Sequence, residues 1–253
     1  MPVRLISVMW IPKNIIDMRI LVDAGNTSTK WQLRDGGDAI ECGQGDLQAL
    51  RDWVSVLDDS VKYVVAVSCV KNDAYAQRIQ EAFESLSEAQ LHFAKSSATF
   101  AGLRNAYEVP QRLGVDRWLA LLAIKARGEN SAVIIDAGTA CTIDVLENGQ
   151  HLGGYIFPGM ALARDALVAN TSKIPMSEDV EPSTSLGTDT AACVFSGIWL
   201  TLLSSCQSVI DRFPDATVYL TGGSAPELAA LGLKAQRVDG LVFDGLNFWL
   251  TGA

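Results

Sequence analysis

The chain has 253 residues, of which 49% are apolar and 19% are charged, so it carries enough apolar material for a folded core. Acidic residues outnumber basic residues by 29 to 20, and the net charge of −9 argues against nonspecific binding to DNA or RNA. The five cysteines are scattered without a CxxC pair, which argues against a disulfide framework or a zinc site. This cysteine usage favours a reducing compartment, and the predicted location is the cytoplasm.

The first 17 residues are predicted to be a flexible extension that precedes the folded part of the chain. Arg4, Pro12 and Lys13 interrupt any apolar core of a signal peptide, and no small-residue cleavage site follows. Met18 begins a segment, MRILVD, that has the composition of a first strand. No other run is expected to supply the ~20 apolar residues of a membrane-spanning helix. The chain is therefore predicted not to bind a membrane.

A hairpin with an acidic turn comes first in the predicted fold. Residues 20–33 read ILVDAGNTSTKWQL, which is an apolar run, then Asp-Ala-Gly and hydroxyl residues, then a second apolar run. This pattern is typical of two strands joined by a turn that carries an acid and a glycine. Residues 61–68 then predict a buried strand, and helical spacing predicts helices over 73–86 and from near Asp116 through Lys125.

The same hairpin pattern returns in the second half of the chain. Residues 133–146 read VIIDAGTACTIDVL, which superposes Asp136 on Asp23. A long helix is predicted over 187–210, followed by a strand that ends in Thr-Gly-Gly. Two α/β halves with hairpins at corresponding places predict a duplicated fold that binds its ligand in a central cleft.

The two acidic turns have the chemistry of a polyphosphate site. Glycine lets the backbone approach an anion, and hydroxyl and turn N–H groups donate hydrogen bonds to phosphoryl oxygens. An aspartate does not contact phosphate directly, but it can hold a cation that bridges to the phosphates. A single turn of this kind is weak evidence, because it is also an ordinary tight turn. Two matched copies point to nucleotide binding and phosphoryl transfer to a small hydroxylated metabolite.

Five motifs occur in the order found in type III pantothenate kinases, and the chain resembles this family from Met18 to about Gly245. They are residues 23–30 (DAGNTSTK), 114–117 (GVDR), 136–142 (DAGTACT), 153–159 (GGYIFPG) and 221–223 (TGG). The resemblance implies two ribonuclease-H-like domains of the actin-like ATPase and sugar-kinase superfamily, here assigned to residues 18–118 and 119–253. It also implies ATP-dependent phosphorylation of pantothenate to 4′-phosphopantothenate, the first step of coenzyme A biosynthesis, by a homodimer that uses Mg²⁺ and a monovalent cation.

The resemblance assigns roles to individual residues. Asp116 matches the catalytic base, Asp23 is expected near Mg²⁺, and Asp136 matches a ligand of K⁺ or NH₄⁺. The residues assigned to ATP are Asp23, Ala24, Gly25, Asn26, Thr27, Ser28, Thr29, Lys30, Thr139, Gly222 and Gly223. Those assigned to pantothenate are Tyr107, Gly114, Val115, Asp116, Arg117 and Thr190.

Other interpretations of these residues remain open from the sequence. Asp116 precedes a helical pattern and has the position of a helix cap, and Lys30 has the character of a solvated lysine. Tyr107 is equally typical of a core or rim aromatic residue. A sugar or N-acetylhexosamine kinase would share the fold with a different acceptor, and a regulatory protein would bind the nucleotide without catalysis. The GVDR motif and Tyr107 argue against the first alternative, and the three intact aspartates argue against the second.

Overall fold

The computed structural model describes residues 18–170 and 181–252, so the predicted extension over residues 1–17 lies outside the described residues. The chain divides into two compact units. One contains the described residues up to Gly128 together with those from Leu241 onwards, and the other is Glu129–Gly240. The predicted boundary after residue 118 therefore differs from the observed division, and the C-terminal segment returns to the first unit.

Twelve strands and seven α-helices are formed by the described residues. The strands are β1 (Met18–Ala24), β2 (Thr29–Asp35), β3 (Asp38–Gly45), β4 (Val64–Cys69), β5 (Gln90–Phe93), β6 (Thr99–Phe100), β7 (Leu103–Arg104), β8 (Ala132–Ala137), β9 (Ala140–Glu147), β10 (Gln150–Pro158), β11 (Thr217–Thr221) and β12 (Gln236–Arg237). The helices are α1 (Leu47–Val54), α2 (Asp73–Ala82), α3 (Val115–Ala126), α4 (Met160–Ala169), α5 (Thr190–Ile210), α6 (Ala225–Ala230) and α7 (Leu241–Thr251).

The first unit is built on a sheet with the order β3-β2-β1-β4-β5. β1, which leads into the first acidic turn, lies between β2 and β4. It is antiparallel to β2 and parallel to β4. One face of the sheet buries Ile20, Val22, Val65 and Val67 in a core that also contains Ile79 of α2. These residues share one face because side chains alternate along a strand, and Leu21 and Ala66, which lie between them, are buried as well.

Helices α3 and α7 pack closely against each other in the first unit. A methyl group on Gly245 of α7 would overlap the backbone of Leu119 in α3, so the two helices need a residue without a side chain at their crossing. Arg19 of β1 donates a hydrogen bond to the Asn247 side chain at 2.9 Å, which ties α7 to the sheet. These contacts explain why the C-terminal helix belongs with the first unit although it follows the second in sequence.

The second unit repeats the arrangement of the first. Its strands have the order β12-β11-β8-β9-β10, and β8 is antiparallel to β9 and parallel to β11. Asp136 is the next-to-last residue of β8, as Asp23 is of β1, and each lies on a central strand with a hairpin partner on one side and a parallel strand on the other. The two hairpins found as a sequence repeat occupy equivalent positions in two equivalent sheets.

Helix α5 is long and apolar enough to cross a membrane by length and composition, the one such helix among the described residues. The expectation that no run in the chain has this character is wrong for α5. One face of α5, with Ile198, Leu202 and Cys206, lies in the core of the second unit with residues of β8 and β9, and 33% of its most apolar stretch is buried.

Candidate active site

The first acidic turn, residues 23–30, joins β1 to β2, and because the sequence predicts that it binds phosphate it is called the phosphate loop below. Asp23 lies opposite Lys30 in the hairpin register, and residues 25–28 make the turn between the strands. Asn26 and Thr27 are exposed at its tip, whereas Ala24 is fully buried and offers a ligand only its backbone. The loop therefore presents polar side chains and backbone groups above an acid at its base.

The Asp23 carboxyl group is held in an unfavourable environment for a negative charge. Its Oδ1 is shielded from solvent and has no hydrogen-bond partner among the described residues. Burial, first of all, and the nearby Asp116 carboxylate raise the pKa of Asp23 from 3.8 to about 6, against the opposing effects of Ser68 and Lys30. A buried carboxylate close to a second carboxylate is an arrangement that a cation stabilises.

Asp116 lies in the first turn of α3, in the same unit as Asp23. The residue that caps α3 is Gly114, so Asp116 is not the N-cap residue that the alternative interpretation made it. Asp116 Oδ1 accepts the backbone N–H of Arg117 at 2.8 Å, and a methyl group on Gly114 would come within 2.6 Å of that oxygen. Glycine at position 114 thus leaves room for the carboxylate.

Arg117 and Tyr107 form a polar pair beside Asp116. Arg117 is buried, with 6% of its surface exposed, and its guanidinium donates a hydrogen bond to the Tyr107 hydroxyl at 3.0 Å. Tyr107 is half-buried, and its backbone N–H is held by the side chain of Asn105 at 3.0 Å. The structure therefore brings Tyr107, Gly114, Asp116 and Arg117 together as the sequence predicts.

The second acidic turn, residues 136–139, meets two other segments of the second unit. The carbonyl of Thr139 accepts the N–H of Gly159, which follows β10, at 3.0 Å. The carbonyl of Ala137 accepts the N–H of Ser224, which follows β11, at 2.9 Å. Loop residues from three strand ends thus converge on one place at the edge of the sheet.

Gly222 makes this convergence possible. Its φ is +95°, and a methyl group there would lie 2.5 Å from Asp136 Oδ1 and within 2.7 Å of the backbone of Ala137. The absence of a side chain brings the Thr-Gly-Gly turn against the acid of the second hairpin. Asp136, Thr139 and Gly222, which are predicted site residues from separate motifs, therefore lie close together in the second unit.

Comparison with known proteins decides the family. The sequence model described as Type III pantothenate kinase matches residues 19–212. The chain belongs to the type III pantothenate kinase family. It is 35% identical over 237 residues to the type III pantothenate kinase of Marinobacter nauticus, and the match covers 91% of this chain and 97% of the relative. It is 38% identical over 220 residues to that of Acinetobacter baumannii, with 85% and 89% covered.

Solved structures show the same fold at low identity. A conserved Campylobacter jejuni protein, proposed to be a Baf family transcriptional activator, matches with a TM-score of 0.60 and 18% identity, covering 91% of this chain and 96% of that one. A Sinorhizobium meliloti protein, proposed to be a 2-dehydro-3-deoxygalactonokinase, matches with a TM-score of 0.54 and 14% identity, covering 91% and 97%. Together with the two equivalent sheets, these matches confirm the predicted duplicated α/β fold of the actin-like and sugar-kinase type.

Two residues that the sequence assigns to ligands, Thr29 to ATP and Thr190 to pantothenate, have surroundings that differ from those of the other assigned residues. Thr29 is fully buried, and its Oγ1 lies 2.7 Å from the Tyr75 hydroxyl, so its side chain fixes the hairpin to α2. Thr190 is exposed at the start of α5, on the wall of an apolar groove of about 990 Å³ in the second unit. The helix is capped there by Asp189, whose Oδ1 accepts the N–H of Ala192 at 2.9 Å.

Sequence reasoning missed Ser68. This fully buried serine lies directly opposite Asp23 in the parallel register of β1 and β4, and its hydroxyl opposes the rise in the pKa of Asp23. The signal was available in principle, because residues 61–68 are predicted as a buried strand that ends in this serine. Its importance depends on the pairing of β4 with β1, which the local pattern does not reveal.

Proposed function

We propose that this chain transfers the terminal phosphoryl group of ATP to pantothenate, with Asp116 as the base. The family to which the chain belongs makes it an ATP-dependent pantothenate kinase, which forms 4′-phosphopantothenate in the first step of coenzyme A biosynthesis. The observation that carries the residue assignment is the electrostatic interaction between Asp23 and Asp116. This interaction means that the phosphate loop and the residues assigned to pantothenate around Asp116 lie close together in the first unit.

The phosphate loop is proposed to hold the phosphates of ATP. The exposed tip residues Asn26 and Thr27 and the turn N–H groups donate hydrogen bonds, and Lys30 adds a positive charge. A methyl group on Gly25 would make only an ordinary contact of 3.4 Å with the Ser28 carbonyl, and glycine, which has no side chain, leaves the backbone of the turn open to the anion. From the second loop, Thr139 is proposed to contact ATP, and Gly222 and Gly223 the rest of the nucleotide.

Divalent metal is needed generally for this class of phosphoryl transfer, and we assign Mg²⁺ to the neighbourhood of Asp23. Asp23 Oδ1, which has no hydrogen-bond partner in the described part of the chain, and the raised pKa of Asp23 both fit a group that a cation would stabilise. No cluster of three His, Cys, Asp or Glu side chains able to hold a metal occurs within residues 18–170 and 181–252, so phosphate and water oxygens would complete the coordination. When bound, the metal neutralises charge on the transferring phosphate.

The second loop is proposed to hold K⁺ or NH₄⁺ at Asp136. The carbonyl-rich turn against Gly222 offers oxygen ligands of the kind that hard cations prefer, and Asp136 supplies the negative charge. The acid would repel phosphate without such an ion. This fit supports the assignment that the family resemblance implies.

The acceptor hydroxyl is proposed to bind beside Asp116. As the new bond from its oxygen to the terminal phosphorus forms, the bond from phosphorus to ADP breaks, and the hydroxyl proton passes to the Asp116 carboxylate. Arg117 and Tyr107, already joined by a hydrogen bond of 3.0 Å, are placed to hold the polar groups of pantothenate. Val115 and Gly114 supply the backbone at this turn.

The test of this assignment is Asp116→Asn, assayed by ADP release with and without pantothenate. Turnover is expected to fall by about 10²- to 10⁴-fold, as for loss of a general base, while ATP affinity changes little. Asp73→Asn is the matched control, because Asp73 is also an acid in the first turn of a helix of the first unit but is exposed. Equal turnover in Asp116→Asn and Asp73→Asn would exclude Asp116 as the base. Turnover of the wild type with sugars but not with pantothenate would exclude pantothenate as the acceptor.

We also propose that the chain is a cytoplasmic homodimer that binds neither nucleic acid nor membranes. The apolar groove between α4 and α5 and the exposed Leu167 and Leu200 give a face that a second copy can cover, with Thr190 at its edge. Leu200→Glu is expected to shift the mass measured by sedimentation equilibrium from dimer to monomer. A monomeric wild type, or flotation of the wild type with lipid vesicles, would contradict the proposal.

A further inference from the structure

A polar pocket of about 250 Å³ lies in the first unit beside the tip of the phosphate loop. Its wall contains Thr27 and Ser28 of the loop and three basic side chains, Arg51, Lys71 and Arg78. These basic residues come from α1, from the connection after β4 and from α2. The proposed kinase reaction gives none of the three a role.

The pocket is positive although the chain as a whole has a net charge of −9. Arg51 is paired with Glu81 at 3.1 Å, but neither Lys71 nor Arg78 forms an ion pair with any residue in the described part of the chain. The acid in the wall is Asp46. Two cations that have no ion pair among the described residues, in a concave polar site, attract an anion.

The remaining acid does not cancel this attraction. Asp46 caps α1, and its Oδ1 accepts the N–H of Ala49 at 2.9 Å, so its charge is already engaged with the end of the helix. The hydroxyls of Thr27 and Ser28 and the side-chain amide of Gln48 supply further donors in the same wall. This combination of cations and neutral donors is suited to phosphoryl oxygens.

The pocket is coupled to the phosphate loop through Tyr75. The Lys71 ammonium lies 4.0 Å from the centre of the Tyr75 ring, and the hydroxyl of the same tyrosine lies 2.7 Å from Thr29 Oγ1. Thr27 and Ser28 belong to the loop and to the pocket wall at once. An anion in the pocket would therefore use donors at the loop tip and place a negative charge next to it.

We propose that this pocket binds a phosphoryl group and that the bound anion lowers the affinity of the phosphate loop for ATP. The volume falls below the range of about 300 to 1,000 Å³ for pockets that enclose drug-sized ligands, so it suits inorganic phosphate, pyrophosphate or the terminal phosphate of a larger metabolite. Binding of the anion needs no kinase activity, whereas its effect on ATP rests on the proposed role of the loop.

The first test is calorimetric titration of pyrophosphate into the full chain without nucleotide or magnesium. Lys71→Gln and Arg78→Gln are each expected to weaken binding about tenfold, because each removes a charge-assisted hydrogen bond. Lys62→Gln is the control, because Lys62 is an exposed lysine of the same unit, 3.9 Å from Glu88 and outside the pocket wall. Pyrophosphate affinity equal to wild type in both pocket variants would overturn the proposal.

The second test measures ATP affinity with and without inorganic phosphate in the presence of magnesium. Phosphate is expected to weaken ATP binding in the wild type and in Lys62→Gln, and to have no effect in the Lys71→Gln/Arg78→Gln double variant. Equal weakening in the double variant would overturn the proposal. Titrations with glycerol 2-phosphate distinguish a site for free phosphate from one for a phosphate monoester. If the chain binds pyrophosphate through Lys71 and Arg78 but has no kinase activity, the proposed function is wrong and the anion site in the pocket is retained.

Discussion

Replacing Asp23 with asparagine is expected to stabilise the ligand-free chain while abolishing its kinase activity. The carboxylate is destabilised mainly by burial, and its pKa rises from 3.8 to about 6. At about 1.4 kcal/mol per pKa unit, this rise corresponds to about 3 kcal/mol of unfolding free energy lost when Asp23 ionises. The neutral amide of Asp23→Asn has a similar shape and does not incur this cost.

The difference in unfolding free energy between Asp23→Asn and the wild type is expected to depend on pH. Because the pKa of Asp23 is higher in the folded than in the unfolded chain, protonation favours the fold. This stabilisation is fully present below pH 3.8 and is lost as the pH rises through about 6. Asp23→Asn should therefore exceed the wild type in unfolding free energy by up to about 3 kcal/mol at pH 8, and by little near pH 4.

The free energy of unfolding is measured by urea titration in EDTA at pH 4, 6 and 8, with tryptophan fluorescence as the signal. Asp38→Asn is the matched control, because Asp38 is an exposed aspartate of the same sheet and should not alter the profile. In the wild type, binding of Mg²⁺ with ATP is expected to weaken below about pH 6, since protons then compete with the cation at Asp23. An Asp23→Asn variant no more stable than the wild type at pH 8 would refute the reasoning, as would a difference that does not change with pH.

Two glycine positions give further predictions. Gly245→Ala is expected to cost about 3 kcal/mol or more of unfolding free energy, because the new methyl group overlaps the Leu119 backbone where α7 meets α3. Urea unfolding measures this loss, and Gly37→Ala, which has open space around the added methyl group in the same unit, should show none. Gly222→Ala is expected to lower turnover at least about tenfold, since its methyl group meets Asp136 Oδ1 at 2.5 Å and its φ is +95°. Full ADP release by Gly222→Ala, with an unchanged requirement for K⁺, would contradict the placement of the cation site.

The sequence by itself determined the repeated part of the molecule. Apolar runs on both sides of Asp-Ala-Gly specify strand, turn and strand through local preferences, so the hairpins at Asp23 and Asp136 follow from neighbouring residues alone. The order of the five motifs determined the family in the same way. Grouping Tyr107 with Asp116 and Arg117 also required little more than their closeness in the chain.

Only the tertiary structure decided which residues that are far apart in sequence lie in contact. The return of α7 to the first unit, the bond of Thr29 to Tyr75 and the closeness of Asp23 to Asp116 all join segments separated by long stretches of chain. Such contacts result from the packing of whole helices and sheets, in which each residue contributes a small energy that no local pattern reports. The Asp23 carboxylate is ordinary in sequence, and only burial beside a second acid gives it a pKa of about 6.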